Sequence, residues 1–209
     1  MTIGLLGAGT VGRALATGFA ARGHAVRLGT RHPEAPGHRA FAEASGLPVT
    51  TYGEATGGAD VVVVATPWEG TEAAVRAARV APGALVLDAT NPLDFSDGSP
   101  VHAVPDSAGE RIQAWLPDAH VVKAFAMVGA GLMVDPDLPD GPPTMLLAGE
   151  SADAKRQATE ILDAFGWDVA DLGGIREARS IEALAVAWIR LAMTTGSRDL
   201  AFRLLRGRT

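Results

Sequence analysis

An α/β fold built on a doubly wound parallel sheet is the class this sequence predicts, and three observations predict it. Between residues 2 and 124 strand-like apolar runs alternate with helix-like segments, which argues for parallel strands joined by helical crossovers. Several runs, Val61–Val64 above all, are apolar at consecutive positions, as expected of strands covered on both faces. Gly7-Ala-Gly-Thr-Val-Gly12 follows the first run directly and opens the first helix. A Gly-x-Gly-x-x-Gly pattern gains its meaning from that strand–turn–helix context, and here it makes the sheet Rossmann-type.

Taken in order, Thr2–Leu6 reads as a strand, Val11–Arg22 as a helix and Ala25–Leu28 as a second strand. The strong run Asp60–Thr66 is a further strand, followed by a helix over Glu69–Ala78, a strand over Ala84–Ala89, a helix over Ser107–Leu116 and a strand over His120–Ala124. After Met133 the chain reads Asp135-Pro-Asp-Leu-Pro-Asp-Gly-Pro-Pro143, which can continue neither a helix nor a central strand. This places a domain edge, with residues 1–135 as the nucleotide-binding domain and residues 136–209 as a small α/β C-terminal domain covering the cleft.

That second unit reads as a strand (Thr144–Ala148), a helix carrying Ala154, Ala158, Ile161, Leu162 and Phe165, a short strand (Trp167–Ala170) and a long apolar helix from about Glu177. The last helix bears Ile181, Leu184, Val186, Trp188, Ile189, Leu191 and Met193, apolar nearly all round. Such a helix is expected to be buried on most sides. The first domain or a second subunit could bury it, and a homodimer is the expectation.

Composition narrows the function. With 47% hydrophobic residues in 209 the chain can bury a substantial core. Its net charge of −6, with acids and bases interspersed, gives no long-range attraction for nucleic acid or an anionic membrane. There is no cysteine, so disulfides, thiolate metal sites and thiol catalysis are excluded. No run approaches the roughly 20 apolar residues of a membrane span, and a strand starting at residue 2 leaves no room for a signal peptide, so a cytoplasmic location is expected. Neither a hydrolase arrangement nor a metal-binding pattern stands out, and no metal is expected.

The glycine loop carries the chemistry. Gly7 would permit the tight turn, Gly9 would let the backbone approach a pyrophosphate, and Gly12 would let the helix pack on the strand. The phosphates would be held by amides at the helix N-terminus. At the end of the second strand, where an acid would bond the ribose 2'-hydroxyl of NAD, the chain offers Thr30 and Arg31. A hydroxyl and a guanidinium accept a 2'-phosphate, which predicts NADP(H).

Two later segments follow strands and should border the nicotinamide half of the cleft. In Ala65-Thr-Pro-Trp-Glu69, Pro67 and Trp68 could wall a ring, with simple packing as the alternative for Trp68. In Asp88-Ala-Thr-Asn-Pro-Leu93, Asn91 could bond a carboxamide or ribose, with plain turn chemistry as the alternative. The loop Lys123–Gly131, with Phe125, Met127 and Val128, suits a second flat ligand. Lys123 could donate a proton, but a strand-end lysine with its head in solvent is the favoured reading. Hydride transfer demands little acid–base machinery, because the cofactor carries the chemistry.

These segments together resemble the NADPH-dependent coenzyme F420 reductases, also called F420-dependent NADP oxidoreductases. The resemblance runs along the chain through Gly7–Gly12, Gly29–Arg31, Pro67–Glu69, Asn91–Leu93, Ala148–Ser151 and Asp171–Arg179. It implies a Rossmann domain with a small C-terminal domain, and hydride transfer between the nicotinamide C4 and the deazaflavin C5 of coenzyme F420. Carried over by position, Thr10, Val11, Thr30, Arg31, Thr66 and Pro67 fall at NADP contacts, and Phe125, Val128 and Leu200 face the deazaflavin. Ala126 departs from archaeal members, which carry a histidine there. That departure keeps other acceptors open: FMN or FAD, ferric iron through a flavin, or a small carbonyl or imine compound. A non-catalytic NADP(H) sensor is the alternative from another class.

Overall fold

The computed structural model describes residues 1–96 and 98–207. In chain order its elements begin with β1 (Thr2–Leu6), α1 (Thr10–Ala21), β2 (Ala25–Gly29), α2 (Pro36–Ser45), β3 (Val49–Thr50) and α3 (Tyr52–Thr56). Then come β4 (Val61–Val64), α4 (Trp68–Ala77), β5 (Leu85–Asp88), a hairpin of β6 (Leu93–Asp94) and β7 (Val101–His102), α5 (Ala108–Trp115) and β8 (His120–Lys123). The chain closes with β9 (Thr144–Gly149), α6 (Ala152–Ala164), β10 (Asp168–Asp171) and α7 (Ala178–Thr195).

Eight strands form one sheet in the order β10-β9-β8-β5-β4-β1-β2-β3. The chain winds outward from β1 to β3 and then returns to lay β4 on the other side of β1. The reversal opens a crevice beyond the carboxyl ends of β1 and β4, the place where open α/β sheets take ligands. The pairings in this sheet are parallel except β8 with β9, which is antiparallel. Between those two strands runs the Pro-rich connection instead of a helical crossover, which frees the strand direction. Residues 136–209 thus extend the same sheet through β9 and β10.

Burial on both faces follows the consecutive apolar runs. Ile3, Leu5, Val61, Val63 and Leu87 meet Leu15 and Phe19 of α1 and Ile161 and Leu162 of α6 on one face. Leu6, Val62, Val64 and Val86 meet Val75 of α4 and Ile112 of α5 on the other. Side-chain caps fix the helix starts. Ser107 Oγ accepts from the Glu110 amide at α5, Ser151 Oγ from the Ala154 amide at α6, and Thr51 with Glu54 closes a capping box at α3.

The last helix differs from the expected all-round burial. Ile181, Ala185, Trp188 and Ala192 form one buried stripe at helical spacing, whereas Leu191 and Met193 are 46% and 56% exposed. Among the described residues no helix is long and apolar enough to cross a membrane.

Candidate functional site

The glycine loop has the geometry its sequence demands at all three positions. Gly7 adopts φ +115°, and a Cβ there would stand 2.4 Å from the Ala65 carbonyl oxygen. A Cβ on Gly12 would stand 2.1 Å from the Gly7 carbonyl oxygen, so only glycine lets α1 sit this close to the turn. Gly9, in contrast, has open space around a notional Cβ. It is the N-cap of α1, with no side chain capping the helix and no acid in the first turn. The free amides after Gly9, near Thr10 and Val11, therefore present an uncompensated positive helix end to solvent, which suits an anion.

Beyond β2 the structure gathers Arg31, Tyr52, Thr66, Pro67, Glu69 and Gly70 around a cavity of about 160 Å³. Burial raises the Tyr52 hydroxyl above its ordinary range, and the Arg31 guanidinium beside it pulls the other way. Thr30 is anchored by its amide to the Thr50 carbonyl, 2.9 Å away. Tyr52 and Glu69 were given no role from sequence. The Thr51-x-x-Glu54 pattern was the available signal, since it marks a helix whose first residue is Tyr52.

Trp68 does not wall this cavity. It stacks on Trp115 at 5.8 Å between ring centroids and 23° between planes, packing α4 on α5. Thr66 is buried and shares a hydrogen bond of 2.9 Å with the Thr71 hydroxyl.

Asn91 ties two loops together. Its Nδ2 donates to the Ala126 carbonyl at 2.8 Å, while its Oδ1 is buried with no hydrogen-bond partner among the described residues. A buried acceptor left open costs free energy unless a donor arrives, so the amide fits a ligand N–H at this spot. Phe125, at the end of β8, holds φ +58°, a strained value for a residue with a side chain. It lies with Met127 and Val128 in the core, each less than a tenth exposed. Phe125 packs on Phe165 and accepts support from Met145, whose sulfur takes its amide. These three side chains face the protein interior; the loop presents Gly129 and Ala130 outward instead.

An open apolar cleft of about 470 Å³ lies between the start of α1 and the end of α7, lined by Thr10, Val11, Gly129, Trp188, Met193 and Arg198 among others. Leu200 does not line it; its carbonyl accepts the N–H of the lining Trp188 indole at 2.7 Å and folds the C-terminal segment back on α7. Trp188, Met193 and Arg198 were not read from sequence as site residues, because only the packing of α7 brings them to the glycine loop.

Lys123 contradicts the solvent reading outright. It is fully buried, 3.0 Å from Asp88 Oδ2 and 2.9 Å from Glu182 Oε1, and it also donates to the Thr90 carbonyl. Burial alone would lower its pKa, but the Asp88 and Glu182 carboxylates outweigh that and raise it, so the ammonium persists. Burial pushes the Asp88 carboxyl up, against the pull of Lys123 and of the Thr90 donors. No spacing signal in the sequence joins these residues; the pairing of β5 with β8 sets Asp88 beside Lys123, and the packing of α7 adds Glu182.

Residues 2–92 match the family described as NADP oxidoreductase, coenzyme F420-dependent. A crystal structure from Arthrobacter sp. FB24, provisionally named an F420-dependent NADP reductase, is 37% identical and superposes with a TM-score of 0.93 over 99% of this chain and 100% of its own. The metalloreductase STEAP3 of Rattus norvegicus is 30% identical over 183 residues, which are 87% of this chain and 36% of that protein; the chain spans about a third of its length. An imine reductase of Aspergillus terreus in complex with NADPH4 shares the fold alone, at 16% identity and a TM-score of 0.64 over 93% of this chain and 63% of that one. Fold, glycine loop and relatives define the class: this is an NADP-dependent oxidoreductase. The full-length match narrows it further. The chain belongs to the family of coenzyme F420-dependent NADP oxidoreductases.

Proposed function

We propose that the protein transfers a hydride between NADPH and the deazaflavin ring of coenzyme F420. The observation that carries this reading is the apolar cleft beside the glycine loop, in which Arg198 is the one charged lining residue among the described residues. A flat ring needs apolar walls and exclusion of water, and hydride transfer needs no titratable group beside it.

Bound NADPH would supply the hydride from its nicotinamide C4; everything else falls to this chain. The amides after Gly9 would hold the pyrophosphate, and Gly7 and Gly12 keep the turn tight enough to present them. Thr30 and Arg31 would take the 2'-phosphate, with Tyr52, Thr66 and Pro67 enclosing that end. The open Oδ1 of Asn91 would accept from the carboxamide N–H of the nicotinamide. Trp188 and Met193 would wall the deazaflavin, Phe125, Met127 and Val128 would back that wall from the core, and Arg198 would meet the coenzyme's acidic tail. Residues 136–209 act in this reading as the cover of the cleft, and the exposed Leu191 forms part of a homodimer contact.

A flavin acceptor is the second reading, favoured by the likeness to a metalloreductase and by Ala126 in the acceptor loop. One experiment separates the two: mix the protein with NADPH or NADH and follow the absorbance of F420, with FMN in parallel. Loss of the deazaflavin band with NADPH, little with NADH and no bleaching of FMN is expected. Reduction of FMN with F420 untouched would move the assignment to the flavin.

A further inference from the structure

The Asn91 loop is gripped from two sides by one buried charge cluster. From below, Lys123 holds the Thr90 carbonyl and Asp88 Oδ1 holds the Thr90 amide and hydroxyl at 2.9 and 2.7 Å. From the far side, β7 pairs with β6 so that His102 stands opposite Leu93. Glu182 on α7 connects the two grips. Its Oε1 meets Lys123 at 2.9 Å and the Gly109 amide at 3.3 Å, and its Oε2 meets the Ala108 amide at 3.1 Å and His102 Nε2 at 2.8 Å.

Donor and acceptor chemistry sets the proton count. His102 Nδ1 lies 2.7 Å from the Val104 carbonyl, which can only accept, so Nδ1 carries a hydrogen. Nε2 faces an oxygen of Glu182 that already accepts an amide hydrogen, so a proton must also lie between Nε2 and Oε2. An imidazolium at His102 balances the cluster: Lys123 and His102 against Asp88 and Glu182. Without that proton one buried carboxylate is left without a counter-charge, a costly state. His102 is also the one member open to solvent, with 23% of its side chain exposed, so it can exchange the proton. Other charged groups on the surrounding elements have their own partners: Arg179 with Glu110, Arg111 with Asp106, Asp94 with Ser96, and Arg190 with the Pro100 carbonyl.

We propose that His102 and Glu182 are positioning residues whose shared proton fixes the Asn91 loop, and with it the nicotinamide end of the cofactor. With the proton in place, Glu182 docks α7 on Lys123, Lys123 holds Thr90, and Asn91 keeps its Oδ1 aimed at the ligand. Loss of the proton loosens that chain of contacts. The inference rests on the reading that Asn91 meets the nicotinamide.

Linkage makes it testable: if the proton favours NADPH binding, NADPH must by the same factor favour the proton. The test is ¹⁵N NMR of the histidine rings of the whole protein across neutral pH, free, with NADPH, and with adenosine 2',5'-bisphosphate, which lacks the nicotinamide half. NADPH should move the titration of His102 to higher pH by about one unit, equivalent to a tenfold gain in affinity, and the bisphosphate should leave it in place. His102→Gln, which keeps a donor toward Glu182, should bind NADPH with only the pH dependence that the bisphosphate also shows. A His102 titration that NADPH leaves unmoved while it binds overturns the proposal. Absence of NADPH binding at any pH overturns the cofactor reading itself and this inference with it.

Discussion

Lys123 Nζ and Glu182 Oε1 stand 2.9 Å apart with both side chains fully buried, and they join the end of β8 to α7. Removing the ammonium would leave His102 as the one cation facing Asp88 and Glu182, so that one of the two buried carboxylates loses its counter-charge. Lys123→Met should therefore lower the unfolding free energy by about 3–5 kcal/mol, read by denaturant titration. A loss below about 1 kcal/mol, the range of an exposed pair, would mean that the ammonium reaches water.

Arg31 lines the small cavity with Tyr52 and Thr66, and its guanidinium is the cation offered to a 2'-phosphate. Arg31→Ala should raise the Kd for NADPH far more than that for NADH, by up to about 10²-fold if charge-assisted hydrogen bonds are lost. Calorimetric titration with both nucleotides reads this directly. Equal losses would sink the 2'-phosphate assignment.

Gly9 and Gly12 should respond differently to the same substitution. Gly9 has φ −82° and nothing within 4 Å of a notional Cβ, so Gly9→Val keeps the fold and fills the space a pyrophosphate would occupy. Its circular dichroism should match the parent while binding of both nucleotides disappears. Gly12→Val must force α1 off the Gly7 carbonyl, 2.1 Å from the added carbon, and should lower the melting temperature as well. A Gly9→Val variant that still binds nucleotide would show that the loop does not hold the pyrophosphate.

Glu110 on α5 accepts two hydrogen bonds from Arg179 on α7, at 2.7 and 2.8 Å. Those bonds hold its carboxyl below the ordinary carboxylate range, against a smaller upward push from burial. The folded value lies below the unfolded one, so the contribution is present above the unfolded titration and is lost as pH falls through the folded one. Arg179→Ala should be less stable than the parent at neutral pH, and the two should converge in acid. A difference that is constant with pH would contradict the pairing.

Much of this fold was legible because a parallel sheet covered on both faces writes its strands as unbroken apolar runs, Val61–Val64 being the plainest. The glycine loop was legible because Gly7 and Gly12 answer local steric demands and Gly9 leaves the start of α1 open. What escaped was marginal or non-local. α2 buries none of its side chains, so it carries no apolar stripe, and β3 is two residues long. Lys123 read as a solvent-facing strand end because its partners Asp88 and Glu182 lie 35 and 59 positions away, and only the sheet order and the packing of α7 collect them. Phe125, Met127 and Val128 were recognised as apolar loop residues, but the left-handed turn at Phe125, which sends them into the core, has no sequence mark.

A hydride that passes from NADPH to the deazaflavin within this chain's cleft carries its isotope label with it. The most direct measurement uses NADPH deuterated at both positions of C4, with F420 as acceptor, and mass spectrometry of the reduced coenzyme. One deuterium on the reduced deazaflavin is the result this account predicts. Reduced deazaflavin free of deuterium, or NADPH consumed with the deazaflavin left oxidised, would contradict it.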